Sequence, residues 1–438
     1  MRIALSQASS VLVKSLKLLA IVWIDILIGI TIVLSINWQS TLYAETTFLL
    51  NETIASQPSN AVKSSTIVTI SNRQILVNGQ PFVIKGVGYA PTPIGNDPDF
   101  PPHGDYFTVD YRPIYERDLA LLRQMGANTI RLWGWKYDAD HTDFLDEAYN
   151  NGVNPIYVIV SLWLDPTRNI LDPVVNQTII TEFTQTVAIH KDHPAVLMWA
   201  IGNELHAPWM FGDTVTRENA IFNLIDEIAQ AIHEEEGVQY HPVTTPLVDI
   251  DLINTIAIRD SQVSNLDVWA VQIYRGQSFG TLFSDYAAVS NKPLVIAEYG
   301  IDAYDDQHAA EYENIGPPYQ AIYAASLWNE IVANSDIAAG GSIMAYSDEW
   351  WKGRFGETDS DHLNCPDFNR FFHSDCGYDT LAHSDGYANE EWWGIMRPVD
   401  NGPNPDIMQP RAVFCTLQSL WATPCGAVYL PTILKNSG

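Results

Sequence analysis

From Phe82 onward, short β-rich runs alternate with helical stretches, and that alternation constrains the fold more than any other feature of the chain. The candidate strands are Phe82–Tyr89, Asn128–Trp135, Asn154–Leu164, Val196–Glu204, His241–Val248, Leu266–Tyr274, Pro293–Tyr299 and Gly341–Tyr346. Between them, Ile114–Met125, Ile179–His190, Arg217–Glu236 and Tyr319–Asn334 carry apolar residues at three- and four-residue spacing, as helices with one buried face do. Such βα repetition predicts a parallel sheet, either doubly wound or closed. Eight units favour closure into an α/β (β/α)8 TIM barrel, with a helix over Ala412–Trp421 completing the ring. Ile67–Asn78, ending at Asn78-Gly79, reads as a short N-terminal β-hairpin against the barrel floor. A long Gly-, Asp- and aromatic-rich insertion, 351–405, follows the eighth strand and is expected to overhang the active face.

The rest of the chain fits one exported domain. Lys14 and Lys17 precede an apolar run from Leu18 to Ile36, and a small residue stands at Ala44. Residues 1–44 therefore read as a signal peptide or, given the length of the run, as an uncleaved signal anchor. Residues 45–66 read as a flexible leader, and 67–438 as the catalytic barrel. Export permits two disulfides among the four cysteines, most simply Cys365 with Cys376 and Cys415 with Cys425. With 52 acidic against 23 basic residues the chain repels phosphate backbones, so nucleic acid is excluded as a partner. Calcium in the loop of Asp302, Asp305 and Asp306 has no twelve-residue pattern behind it. No Gly-rich phosphate loop follows the first strand, which sets nucleotide chemistry aside.

Barrel enzymes carry their chemistry at the C-terminal ends of strands. Two glutamates fall there. Val196–Glu204 is an apolar run finishing in Gly202-Asn203-Glu204, and Lys292–Glu298 finishes in a second carboxylate. One such glutamate is ordinarily a charge reaching solvent at the rim. Two of them, three barrel units apart and each with amide or aromatic neighbours, suit a reaction that needs paired carboxyl groups. Glycoside hydrolysis is that reaction: one group protonates the leaving oxygen, the other attacks the anomeric carbon or activates water.

Gly202-Asn203-Glu204 and Ala297-Glu298-Tyr299-Gly300, each after an apolar strand, resemble the glutamate signatures of clan A glycoside hydrolases, nearest to the family 2 and family 5 barrels. The similarity runs from about Phe82 to Lys352. It implies retention of anomeric configuration, Glu204 as acid/base and Glu298 as nucleophile, with Asn203 on the sugar 2-hydroxyl. It also implies that Arg131 and Tyr274 donate to the nucleophile, and that a tryptophan after the eighth strand, Trp350 in preference to Trp351, lies beneath the sugar. His206 is either a sugar contact or a helix-start residue. Trp133, Trp135, Trp163 and Trp209 follow strand ends and are either outer subsites or packing. Tyr89 and the loop Ala90–Gly95 resemble a segment of family 2-like and glucan-remodelling barrels, which tilts the substrate towards β-linked glucans or mannans. Two carboxyl groups suffice for the chemistry, so no cofactor or metal is implied. A transglycosylase using the same residues and a non-catalytic carbohydrate-binding barrel are the two rival readings.

Overall fold

The computed structural model describes residues 66–305, 307–308, 310–352, 386 and 388–423. The expected export segment, the leader as far as residue 65, residues 353–385 and 387 of the expected insertion and three of the four cysteines lie outside these residues. Thr66, the last residue assigned to the leader, is buried with its hydroxyl donating to Pro194 O at 2.8 Å, and Cys415 is within the described residues, on the last helix.

Three short strands come first: β1 (Val68–Ser71), β2 (Gln74–Val77) and β3 (Gln80–Phe82), paired antiparallel in that order. The expected hairpin is therefore a three-stranded sheet. Its second turn is the legible Asn78-Gly79, while the first is Asn72-Arg73, whose two residues both take positive φ without the glycine that marks such turns. Val68, Ile75 and Val77 from this sheet join Met198, Ala270, Val295 and Ala297 in the cluster that fills the barrel interior. The sheet thus seals the barrel at the end opposite the strand C-termini.

Eight parallel strands form the closed barrel. They are β4 (Ile84–Gly88), β5 (Thr129–Arg131), β6 (Tyr157–Leu162), β7 (Val196–Ile201), β8 (Val243–Val248), β9 (Val268–Gln272), β10 (Leu294–Tyr299) and, after a two-stranded ribbon of β11 (Tyr304–Asp305) and β12 (Ala310–Glu311), β13 (Ala338–Ile343). Side chains pack inside the ring and helices cover it outside, so strands such as Tyr157–Leu162 and Val196–Ile201 are buried at every position instead of alternating. The observed strands stop sooner than the apolar runs suggest. β5 ends at Arg131, and β7 ends at Ile201, where Gly202 and Glu204 turn into the left-handed region at φ 59° and 54°.

The helices that matter for the site are α1 (Arg112–Met125), α2 (Thr142–Tyr149), α3 (Pro173–His190), a single turn α4 (Pro208–Phe211), and α5 (Val215–Glu236). The side chains of Asp172 and Thr214 cap α3 and α5 by accepting from Val174 N and Arg217 N, which starts both helices ahead of their first apolar residues. Near the end of the insertion, β14 (Met396–Val399) pairs with β15 (Ile407–Pro410), and the helix Ala412–Trp421 closes the ring.

Candidate active site

The reacting carboxyl groups and their hydrogen-bond partners are delivered by the C-terminal ends of barrel strands or by the residues that directly follow them. Glu298, the fifth residue of β10, is 4% exposed. Its Oε1 accepts from the Arg131 guanidinium, from Trp133 Nε1 at 2.9 Å and from Gln272 Nε2 at 2.7 Å; its Oε2 accepts from the Tyr274 hydroxyl at 2.6 Å. All four partners are donors, the surroundings an ionised carboxylate requires. Burial and the adjacent Glu298 charge push the Tyr274 phenol well above its ordinary pKa, so it stays protonated and donating.

Glu204 sits in a different environment. Burial and the like charge of Glu298 raise its pKa to about 7, with Glu390 adding to the effect, and Arg131 and Lys352 opposing it. Its carboxyl group is thus the one that carries a proton near neutrality. The left-handed turn that presents it depends on Gly202, where a Cβ would lie 2.6 Å from Leu205 Cδ2. A non-glycine residue at positive φ, as Glu204 is, marks a backbone held in a costly conformation by its surroundings, which is frequent at functional sites. The hydrogen bond from Glu204 N to Pro246 O, 3.0 Å, is part of that hold.

Asn203 is braced from two sides: its Oδ1 accepts from Arg131 Nη2 and, at 2.7 Å, from Gln272 Nε2. The same two residues therefore serve both Asn203 and Glu298. Gln272 was not among the expected site residues, although strand alternation points to it: alternate residues of a strand share a face, so Tyr274 implies Gln272. The same rule links Arg131 to Trp133, whose ring also lies 4.9 Å below the Arg131 guanidinium.

Trp133 can approach Glu298 only because Gly88 leaves room; a Cβ there would come within 2.5 Å of the Trp133 ring. Gly88→Ala is expected to push the indole off Glu298 and lower kcat/KM on the order of 10²-fold, the size of one donor lost from a reacting charge. Steady-state kinetics of Gly88→Ala beside Trp133→Phe check this, since both should fall alike; full activity in Gly88→Ala would refute it.

The wall on the eighth-strand side comes from Trp393, within the insertion 351–405 that follows the eighth strand. Trp393 stands edge-on to Tyr274 at 4.8 Å and packs with Met344 and Ala345, while its carbonyl accepts from Ala345 N. Trp350, the residue favoured as the platform, instead packs on Trp392 and Tyr304, with Ile94 beside them. No strand-end rule locates Trp393, because it lies well past the end of β13, inside the insertion 351–405. Asp348 is held by Arg411 at 2.6 and 2.8 Å and by Gly394 N at 3.0 Å, bracing the turn that carries Trp393. Glu349 pairs with Lys352 at 2.8 Å, and Lys352 also reaches Glu390 at 3.1 Å.

Other candidates lie apart from the pair. Tyr89 is fully buried; its hydroxyl donates to Asp118, which also accepts from Tyr346 and Arg117, tying the end of β4 to α1. His206 is half-buried beside the backbone of Val248 and Ile250, and burial lowers its imidazole to about 4, leaving it neutral. Trp135 stacks on His141 at 3.9 Å in the interior. Trp163 and Trp209 are exposed. Asp302 accepts from Tyr304 N and Asn389 Nδ2, and Asp305 pairs with His308.

A closed (β/α)8 barrel holding a donor-ringed carboxylate and a neighbouring carboxyl of raised pKa has the arrangement of a two-carboxylate glycoside-cleaving barrel. The chain belongs to the glycosyl hydrolases family 2, whose TIM barrel domain it matches over residues 68–367. It is 24% identical over 264 residues to a β-glucuronidase of Mus musculus, covering 58% of this chain and 36% of that one. It is also 24% identical over 318 residues to a 1,3-β-glucanosyltransferase of Saccharomyces cerevisiae, covering 69% and 60%. Among solved structures, Bifidobacterium dentium β-glucuronidase complexed with coumarin-3-O-glucuronide aligns with a TM-score of 0.53 at 20% identity, covering 82% of this chain and 49% of that one. The Eisenbergiella tayi β-galacturonidase bound to galacturonate aligns at 0.52 and 17%, covering 81% and 54%. These likenesses share the fold. The chain spans about a third of the length of the mammalian relative, 36%.

Proposed function

We propose that this chain is a retaining β-glycosidase acting on neutral β-linked glycans of the glucan or mannan type by double displacement. The observation that carries the reading is the unequal environment of the two carboxyl groups: four donors surround Glu298, whereas Glu204 is raised to about 7. In the first step Glu298 attacks the anomeric carbon while Glu204 gives its proton to the departing oxygen. In the second, Glu204 takes a proton from water, and that water releases the sugar from Glu298. Asn203, braced by Arg131 and Gln272, is the group placed to meet the 2-hydroxyl.

Neutral sugars are favoured over uronides by charge. Among the described residues, Arg131 and Lys352, the two cations that act on Glu204, are already paired with Glu298, Glu349 and Glu390. A carboxylated sugar would add a further negative charge beside these groups. Action outside the cytoplasm is part of the same proposal and rests on the pattern of residues 1–44. Transfer to a second sugar is the next reading, supported by the likeness to the yeast glucanosyltransferase over 69% of this chain.

The full chain should be assayed on aryl β-glucoside, β-mannoside, β-galactoside and β-glucuronide together with β-glucans and β-mannans, following the first-formed anomer by proton NMR. Cleavage of neutral members with the β configuration kept is the expected result. An inverted product would remove double displacement, cleavage confined to the glucuronide would remove the neutral substrate, and products longer than the substrate would select transfer.

A further inference from the structure

Two tryptophans on the segments that follow β6 and β7 are not explained by packing. Trp163, the residue after β6, is 53% exposed although its flanking residues Leu162 and Leu164 are buried. Trp209, in α4, is 60% exposed between the buried Ala207 and Phe211. In each case the backbone is anchored from both sides and the largest apolar side chain is held out to water. Scattered apolar residues are normal on a surface, but these two indoles follow adjacent strands at the end of the barrel that carries the two glutamates.

Both loops connect directly to the reacting groups. β6 lies between β5 and β7 in the barrel. Gly202 N donates to Leu162 O at 3.2 Å, so the loop of Trp163 leaves the barrel side by side with the turn of Glu204. On its other side Trp163 lies against Gly134, where a Cβ would come within 2.9 Å of the Trp163 backbone nitrogen, and Gly134 follows the Trp133 that bonds Glu298. Trp209 is one turn beyond Glu204, whose carbonyl accepts from Ala207 N at 2.8 Å. The acid protonates the leaving group, so surface continuing outward from Glu204 faces the part of the substrate that departs.

We propose that Trp163 and Trp209 form a stacking platform for the leaving portion of a β-linked oligosaccharide, so that the substrate is a glycan chain and not a monosaccharide glycoside. The inference rests on the function proposed above and adds to it the side of the substrate that is read. Indole faces take the apolar C–H faces of pyranose rings, while the sugar hydroxyls stay in water. Binding energy from these remote sugar units acts at the reacting bond, so a longer chain raises kcat as well as lowering KM.

The test uses the full chain and its Trp163→Ala/Trp209→Ala double variant on cello- and manno-oligosaccharides from disaccharide to hexasaccharide, alongside aryl β-glucoside and β-mannoside. In the unaltered chain kcat/KM should rise with chain length. The double variant should lose roughly tenfold or more on the hexasaccharide while staying within about twofold on the aryl glycoside, and Trp163→Tyr/Trp209→Tyr should restore the length dependence. Length dependence that survives in the double variant overturns the platform, as does equal loss on the aryl glycosides. An unaltered chain that cleaves only aryl glycosides also overturns it and leaves the chemistry of Glu204 and Glu298 standing, whereas one that cleaves neither class withdraws both.

Discussion

Replacing Glu298 by glutamine should lower kcat/KM on the preferred glycan by about 10⁴-fold or more, equivalent to roughly 5 kcal/mol or more of lost transition-state stabilisation. The substitution keeps the shape of the side chain and removes its charge, so the covalent glycosyl intermediate cannot form. A glutamine carboxamide also brings its own donors among four donors, from Arg131, Trp133, Gln272 and Tyr274. At least one of those groups then faces N–H instead of an acceptor, and a stability loss of about 1–3 kcal/mol should accompany the loss of rate. Thermal denaturation followed by circular dichroism separates the two effects, since the variant should remain folded at assay temperature. Near-full activity in a folded Glu298→Gln protein would end its assignment as nucleophile.

Glu204→Ala should behave differently, and the difference identifies its role. General acid assistance contributes about 10²–10⁴-fold, and it matters in proportion to how poor the leaving group is. An alkyl or sugar leaving group should lose the full factor, whereas a dinitrophenyl glycoside, whose phenolate departs unaided, should lose far less in the glycosylation step. The pH profile follows from the raised pKa of about 7. Glu204 must be protonated to act, so kcat/KM is supported below that value and falls as pH rises through it. Glu204→Gln should abolish this alkaline limb along with most of the rate on natural substrates. A limb that persists in Glu204→Gln would mean that another group titrates there.

What could be read before the structure, and what could not, divides along physical lines. The buried parallel strands were legible because continuous apolar runs such as Val196–Ile201 stand out in any reading. The start of β13 did not stand out, since Ala338-Ala-Gly-Gly-Ser342 lacks the β-branched and aromatic residues by which strands are recognised. The two glutamates were legible because each ends such a run. Their supports were legible only in part: Arg131 and Tyr274 came from the family resemblance, and Gln272 follows from strand alternation once Tyr274 is chosen. Trp393 lies beyond any local rule, for it reaches the site from a segment whose path depends on a buried Arg411–Asp348 contact between residues distant in sequence. The first turn of the floor sheet was missed because Asn72-Arg73 takes positive φ at both residues without the glycine that announces such a turn.

Arg131 and Gln272 each hold both Asn203 and Glu298, so the four side chains form a closed frame with two parallel struts. A frame cannot be deformed at one corner alone. If Asn203 meets the 2-hydroxyl, the preference for one configuration at that carbon and the aim of the nucleophile are a single mechanical property. Variants selected for a sugar epimeric at that position would then have to change several of the four together, and substitutions at Asn203 by itself should give up catalytic rate before they give a new preference.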